Sequence, residues 1–160
     1  MARYGQNRNT GQRVDPYGTY NFRVEIEGLT AGGFSEVSGL TAETEVERRR
    51  EGGLNDFEYT FPKGTKYPDL VLKRGMSDSE LLYDWYREVS RGKIKKKSIT
   101  VSLRDPAGRN ALASWVFYHA FPIKWEGPAL NATGNAVATE KITLAHEGFE
   151  LQGLHGKTSA

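Results

Sequence analysis

The sequence predicts a mainly β domain, a small antiparallel barrel or sandwich with one α-helix and a long protruding loop. Three observations point there. Short segments alternate apolar and polar residues with period two, as in Phe22, Val24 and Ile26 against Arg23, Glu25 and Glu27. Glycine- and proline-containing turns separate these segments at short intervals. One stretch, and only one, carries a helical apolar stripe.

Taken in order, residues 1–18 read as a polar, flexible arm containing Arg3, Arg8 and Arg13 and no periodic hydrophobics. Residues 20–27 form the clearest strand, with one buried face and one wet face, which favours an antiparallel sheet. Phe34 to Leu40 reads as a second short strand, and residues 41–50 alternate less cleanly. Residues 51–66 are broken by Gly52-Gly53, Pro62 and Gly64, yet Phe57, Tyr59 and Phe61 alternate inside them. This predicts a protruding loop or hairpin with a short internal strand, and a segment that long is usually functional.

Leu70 and Leu72 mark the next strand, ended by Arg74-Gly75. Ser77 and Glu80 have the spacing of a capping box, and Leu81, Leu82, Trp85 and Val89 follow as one stripe, which predicts a helix over 78–90 stopped at Gly92. Ile99, Val101 and Leu103 alternate with Ser98, Thr100 and Ser102. A strand is expected over 112–119, with Trp115 and Phe117 on one side, and a last strand over 137–147. In that last strand Glu140, Ile142 and Leu144 share a face, and residues 152–160 read as a tail. The expected organisation is thus an arm (1–18), one domain (19–151) and a tail (152–160).

Composition narrows the function. The 160 residues are 38% hydrophobic and 26% charged, with a net charge of +2, which suits one soluble domain and argues against nucleic acid or an anionic membrane as the main partner. No apolar run approaches the roughly 20 residues of a membrane span. The N-terminal stretch lacks the apolar core of a signal peptide. The chain has no cysteine, which removes disulfides, thiolate chemistry and cysteine-type zinc sites.

Catalytic constellations are not evident. The histidines, His119, His146 and His155, lack the spacing of a ligand set, and structural roles are expected for them. Gly156-Lys157-Thr158 resembles the end of a phosphate loop, but position 151 is Leu where the pattern needs Gly. No enzyme activity, catalytic residue, metal or cofactor is expected. Lys93, Lys95, Lys96 and Lys97 form a basic cluster after the helix, either a solvated connector or a contact for an acidic partner. Arg48, Arg49 and Arg50 follow Glu43, Glu45 and Glu47, an arrangement of signs suited to pairing between subunits.

Read together, the short motifs follow a fixed order. They run Phe22-Arg23-Val24-Glu25-Ile26, then Gly33 to Leu40, then Arg50-Glu51-Gly52-Gly53. Lys66-Tyr67-Pro68-Asp69-Leu70, Leu72-Lys73-Arg74-Gly75 and the Trp85 helix come next. Ala120-Phe121-Pro122-Ile123-Lys124-Trp125 and His146-Glu147-Gly148 close the series. This series resembles the tail tube family of contractile phages and related contractile injection systems, over roughly residues 16–150. The family's barrel is shared with the hemolysin-coregulated tube protein of type VI secretion.

The resemblance implies a structural protein and no catalyst. It implies rings of six subunits that stack into a hollow tube, driven through a target envelope by a contractile sheath. The partners implied are further copies of the chain, the sheath protein, the baseplate hub or spike, and a tube terminator. Cargo, or DNA in a phage, would pass through the lumen. Such a chain is made in the cytoplasm and ends in a virion tail or a tail-like particle. Shaft subunit, ring-initiating subunit and free effector-carrying ring of the type VI kind all remain open. Candidate contacts between subunits are Arg48, Arg49, Arg50, Glu51, Phe57, Tyr59, Lys63 and Lys66. Candidates for a lumen face are Arg23, Glu25, Glu27, Thr100 and Ser102.

Overall fold

The computed structural model describes residues 17–29, 33–50, 52–53 and 57–153. Most of the expected arm, nearly all of the tail and Glu51 therefore lie outside the described residues.

The strands are β1 (Phe22–Ile26), β2 (Glu36–Ser38), β3 (Glu43–Arg50), β4 (Glu58–Lys66), β5 (Leu70–Gly75), β6 (Lys97–Arg104), β7 (Ala111–Glu126), β8 (Thr139–Ala145) and β9 (Phe149–Gln152). The helix α1 (Leu81–Ser90) lies between β5 and β6. All named pairings are antiparallel. Along the main sheet the order is β1-β6-β7-β8-β5-β2, with β9 also on β7. The hairpin β3-β4 forms a sheet of its own.

β7 organises the domain. Its first half pairs with β6 and β9, and its second half pairs with β8. Between the halves the register with β6 shifts, and His119 adopts φ 53, a left-handed conformation uncommon for a residue with a side chain. The segment joining β8 to β9 turns at the same level. Gly148, at φ 125, separates β8 from β9, and the Tyr118 and Glu147 N–H groups donate to the Gly148 and Tyr118 carbonyls at 3.0 Å. A Cβ at Gly148 would stand 3.1 Å from the Tyr67 ring, so both conformation and space require glycine. The sheet thus folds over on itself at one corner and encloses a core.

That core contains Val24, Ile26, Leu70, Leu72, Leu82, Trp85, Ile99, Val101, Phe117, Ala120, Ile142 and Leu144. These are the apolar sides of the alternating segments, closed by the stripe of α1. Trp85 is almost fully buried, and its indole N–H donates to the Lys95 carbonyl at 3.1 Å, which satisfies its one polar atom. His146 is structural as expected. Its Nε2 lies 2.9 Å from the Pro68 carbonyl, its Nδ1 accepts from the Gly148 N–H at 3.1 Å, and Phe117 meets its ring edge-on.

Three local expectations change. The helix starts at Leu81, three residues later than expected, and the capping box does not form, because Glu80 stands at the N-cap without a side-chain bond. The preceding backbone is committed to the sheet: the Met76 N–H donates to the Ala138 carbonyl, and the Ser79 carbonyl accepts from Arg74. β7 runs to Glu126 instead of stopping near 119, passing through the corner and the buried Pro122, beside which the register shifts again. The segment expected as one strand over 137–147 is β8 alone, and Gly148 turns the chain into the short β9, which the sequence pattern does not reveal.

Candidate functional site: two assembly surfaces

The first surface is the outer face of the sheet β1-β6-β7-β9. Strand register places Arg23 opposite Ser102, and Glu25 opposite Thr100. Ser102 and Thr100 in turn oppose Ser114 and Val116 on β7, which oppose Gln152 and Glu150 on β9. Because paired residues share a side, these eight positions form one face, polar except for Val116. Arg23 pairs with Glu25 at 3.1 Å, and the Ser102 and Ser114 hydroxyls meet at 3.1 Å. Four of the five residues expected on a lumen face therefore come together. Glu27 differs: it lies past the end of β1 and its carboxylate accepts from the Ser98 N–H at 2.9 Å. Ser114, Glu150 and Gln152 complete the face but are not evident in the sequence, because β9 is not.

The second surface is the hairpin β3-β4. The segment expected as a loop or hairpin is a hairpin with two long strands, and every residue of β4 is exposed. One side bears Glu47 opposite Phe61 and Arg49 opposite Tyr59. The other side bears Val46 opposite Pro62, Arg48 opposite Thr60 and Arg50 opposite Glu58. Phe57, Tyr59 and Phe61 are 63%, 43% and 49% exposed and form a row, with Phe57 edge-on to Tyr59 and Tyr59 stacked on Phe61.

Within one subunit the register pairs only some of these charges. Glu43 lies opposite Lys66, Glu45 pairs with the Lys66 ammonium, and Glu47 binds Arg49 at 2.8 Å. The Glu45 hydrogen bond and charge hold Lys66 above its ordinary pKa. Arg48 and Arg50 have no ion pair among the described residues. Lys63 lies at the bulge in β4, between the positions that pair with Val46 and Thr44.

The corner carries a small charged cluster. Glu147 receives Lys96 at 3.0 Å and His119 at 2.6 Å. Hydrogen bonds from Lys96, then His119, hold its carboxyl below the usual carboxylate range. Lys96 of the basic cluster is thus anchored to the domain, whereas Lys93 and Lys95 are exposed without ion pairs among the described residues. No group of three or more metal-ligating side chains occurs among the described residues. No helix is long and apolar enough to cross a membrane among them.

The family model of the T4-like virus tail tube protein gp19 matches residues 18–150. The chain belongs to this tail tube family. Members are structural tube proteins, and the tail tube chain accordingly forms part of a phage tail or a contractile injection particle. A chain in the tube terminator complex of the extracellular contractile injection system PVC, in the extended state, is 29% identical. The match covers 88% of this chain and 100% of that one, with a TM-score of 0.80. A chain in the PVC sheath-tube complex is 28% identical, covers 87% and 93%, and has a TM-score of 0.78. The Hcp1 protein of Flavobacterium johnsoniae is 12% identical, with a TM-score of 0.53 over 84% of this chain and 96% of that one, a likeness of fold alone. No curated protein sequence matches the chain significantly.

Proposed function

We propose that this tail tube chain builds the inner tube of a contractile phage tail or injection system. Six copies of the 19–151 domain close a ring, and rings stack within a sheath, between a baseplate hub or spike and a terminator. The single observation that carries this reading is the sheet β1-β6-β7-β9. Among the described residues the one strand partner of β1 is β6 and that of β9 is β7, with Leu29 bridging only the last residue of β1, Ile26, so both outer edges are open over most of their length. Successive antiparallel pairings leave β9 running opposite to β1. When copies are related by rotation, β9 of one meets β1 of the next in antiparallel sense, and the sheet continues around the ring. Ring closure removes the open edges that would otherwise promote aggregation.

The polar face then lines the bore. Arg23, Glu25, Thr100 and Ser102 are wetted there, with mixed charge and small hydroxyls that offer no apolar hold to a passing cargo. Glu27 lies at the rim. Six such sheets at about 4.8 Å per strand give a circumference of about 115 Å, so the bore is on the order of 30 Å wide once side chains are counted. The hairpin, with Arg48, Arg49, Arg50, Phe57, Tyr59, Lys63 and Lys66, contacts neighbouring copies, together with Glu51, which follows β3 in sequence.

Negative-stain microscopy and sedimentation of the purified protein test this reading. Six-membered rings or tubes are the expected result. A strictly monomeric mass at high concentration, together with absence from any tail or tail-like particle, overturns it.

A further inference from the structure

An open cleft of about 590 Å³ lies between residues 76–80, α1 and β7, and none of the eight residues of the polar face lines it. Tyr83 and Trp125 build its aromatic wall, with ring centroids 5.1 Å apart and an edge-to-face arrangement. At its floor Glu140 is fully committed, accepting from Arg74 and, at 3.1 Å, from the Trp125 indole. Asp78 and Glu80 at its rim are exposed, and neither has an ion pair among the described residues. Two uncommitted carboxylates beside an aromatic wall suit a guanidinium: the planar cation stacks on a ring while its fork meets a carboxylate.

The same chain presents that cation. Arg48 and Arg50 project from one side of the hairpin and are exposed, whereas Arg49 is held by Glu47. β3 and β4 have their substantial contacts only with each other. Strands of this length extend about 30 Å, enough to leave the subunit's own footprint.

We propose that the cleft of one copy receives Arg48 and Arg50 of a second copy. The proposal rests on the tube reading above and adds the acceptor to it. Donor and acceptor are different surfaces of one chain, so each subunit gives a hairpin and offers a cleft. The contact therefore propagates from copy to copy, and its charges fix the register of assembly.

A reciprocal charge exchange tests it. Two variants are compared with wild type by sedimentation and microscopy at low salt, one with Arg48→Glu and Arg50→Glu, the other with Asp78→Arg and Glu80→Arg. Each is expected to lose about tenfold in sedimenting assembly, the scale of one close charge pair, with subunit melting unchanged in the hairpin variant and lowered only slightly in the other, whose arginines stand at the N-terminus of α1. Combining all four changes in one chain is expected to restore assembly. Wild-type assembly of either reversed variant, or failure of the combination to regain it, overturns the contact.

Because the chain lacks cysteine, a second measurement is available that does not depend on charge. Arg50→Cys with Glu80→Cys, oxidised after assembly, is expected to give a ladder of disulfide-linked oligomers on a non-reducing gel. Monomer alone overturns the contact. If the wild type is strictly monomeric and absent from any tail or tail-like particle, both readings fall; if it forms tubes but shows neither rescue nor ladder, only this contact falls.

Discussion

The β5–β8 pair and the β3–β4 hairpin are both antiparallel ladders with alternating side chains, yet they end in opposite environments. On β5, Leu70, Leu72 and Arg74 share a side and all three are buried. Phe57, just before β4, and Tyr59 and Phe61 on it form a row just as regularly, and all three are exposed. The charged residue is inside and the aromatic ones are outside. Alternation specifies that a strand has two faces; a third element must supply the cover. β5 and β8 have the rest of the sheet and the helix stripe over them, whereas the hairpin has only itself. A lone two-stranded ribbon is marginal in water, and a projecting aromatic row normally marks an interaction surface. One ladder is therefore covered within the subunit, and the other is left without cover by it.

The sharpest way to break the comparison is at Arg74 and Glu140. They oppose each other across β5 and β8, and their side chains are only 2% and 4% exposed. Arg74 also reaches the Ser79 carbonyl at 3.1 Å, and Glu140 also accepts from Trp125. Glu140→Ala would leave a buried guanidinium without its counter-charge. The expected loss is about 3–5 kcal/mol, read from the denaturant midpoint. Replacing both, Arg74→Met with Glu140→Leu, is expected to recover most of that loss. A single variant as stable as wild type would mean that water reaches Arg74 and that this ladder is not closed.

Much of this contrast is written in the sequence, but unevenly. Phe22 to Ile26 and Ile99 to Leu103 are legible because their cores are apolar and their partners conventional. The shared face of Glu140, Ile142 and Leu144 was also legible, and a carboxylate in that row, with Arg74 in line with Leu70 and Leu72, was the signal for a buried pair. β9 was not legible, because four residues past a glycine corner are too few to establish a period. The capping box misled for a different reason: the local pattern was right, but the Met76 N–H and the Ser79 carbonyl were already bound to the sheet and to Arg74. Of the candidate surfaces, the polar face followed from alternation, whereas the protrusion of the hairpin was legible from its length and its glycine and proline breaks and not from its period of two, which is the same in a core and in solvent.

A smaller effect is expected at the corner. The Glu147 carboxyl lies below the usual carboxylate range because Lys96 and His119 bond to it. A depressed carboxylate contributes stability that is complete above its unfolded pKa and is lost as pH falls through its folded one. Unfolding midpoints of wild type and Glu147→Gln should therefore converge only below the ordinary carboxylate range, and the wild-type excess should be modest because the site is exposed. Parallel pH profiles down to the most acidic point would show that the two bonds do not persist in solution.

The smallest effect on the subunit, and the largest on assembly, is expected from the aromatic row. Phe57→Ser, Tyr59→Ser and Phe61→Ser together remove three large apolar side chains, which in a core would unfold the domain. On the hairpin they stack chiefly on one another, so the isolated subunit should keep its stability within about 0.5 kcal/mol. Sedimentation should nevertheless show loss of rings and tubes, since removing apolar area from a surface matters only where another molecule covers it. The two readouts separate the regions: lowered melting of the subunit would place the row against its own barrel, and normal tubes would leave the hairpin without an assembly role. Stable monomers that no longer assemble would show that the covering element absent from one subunit is supplied by the next.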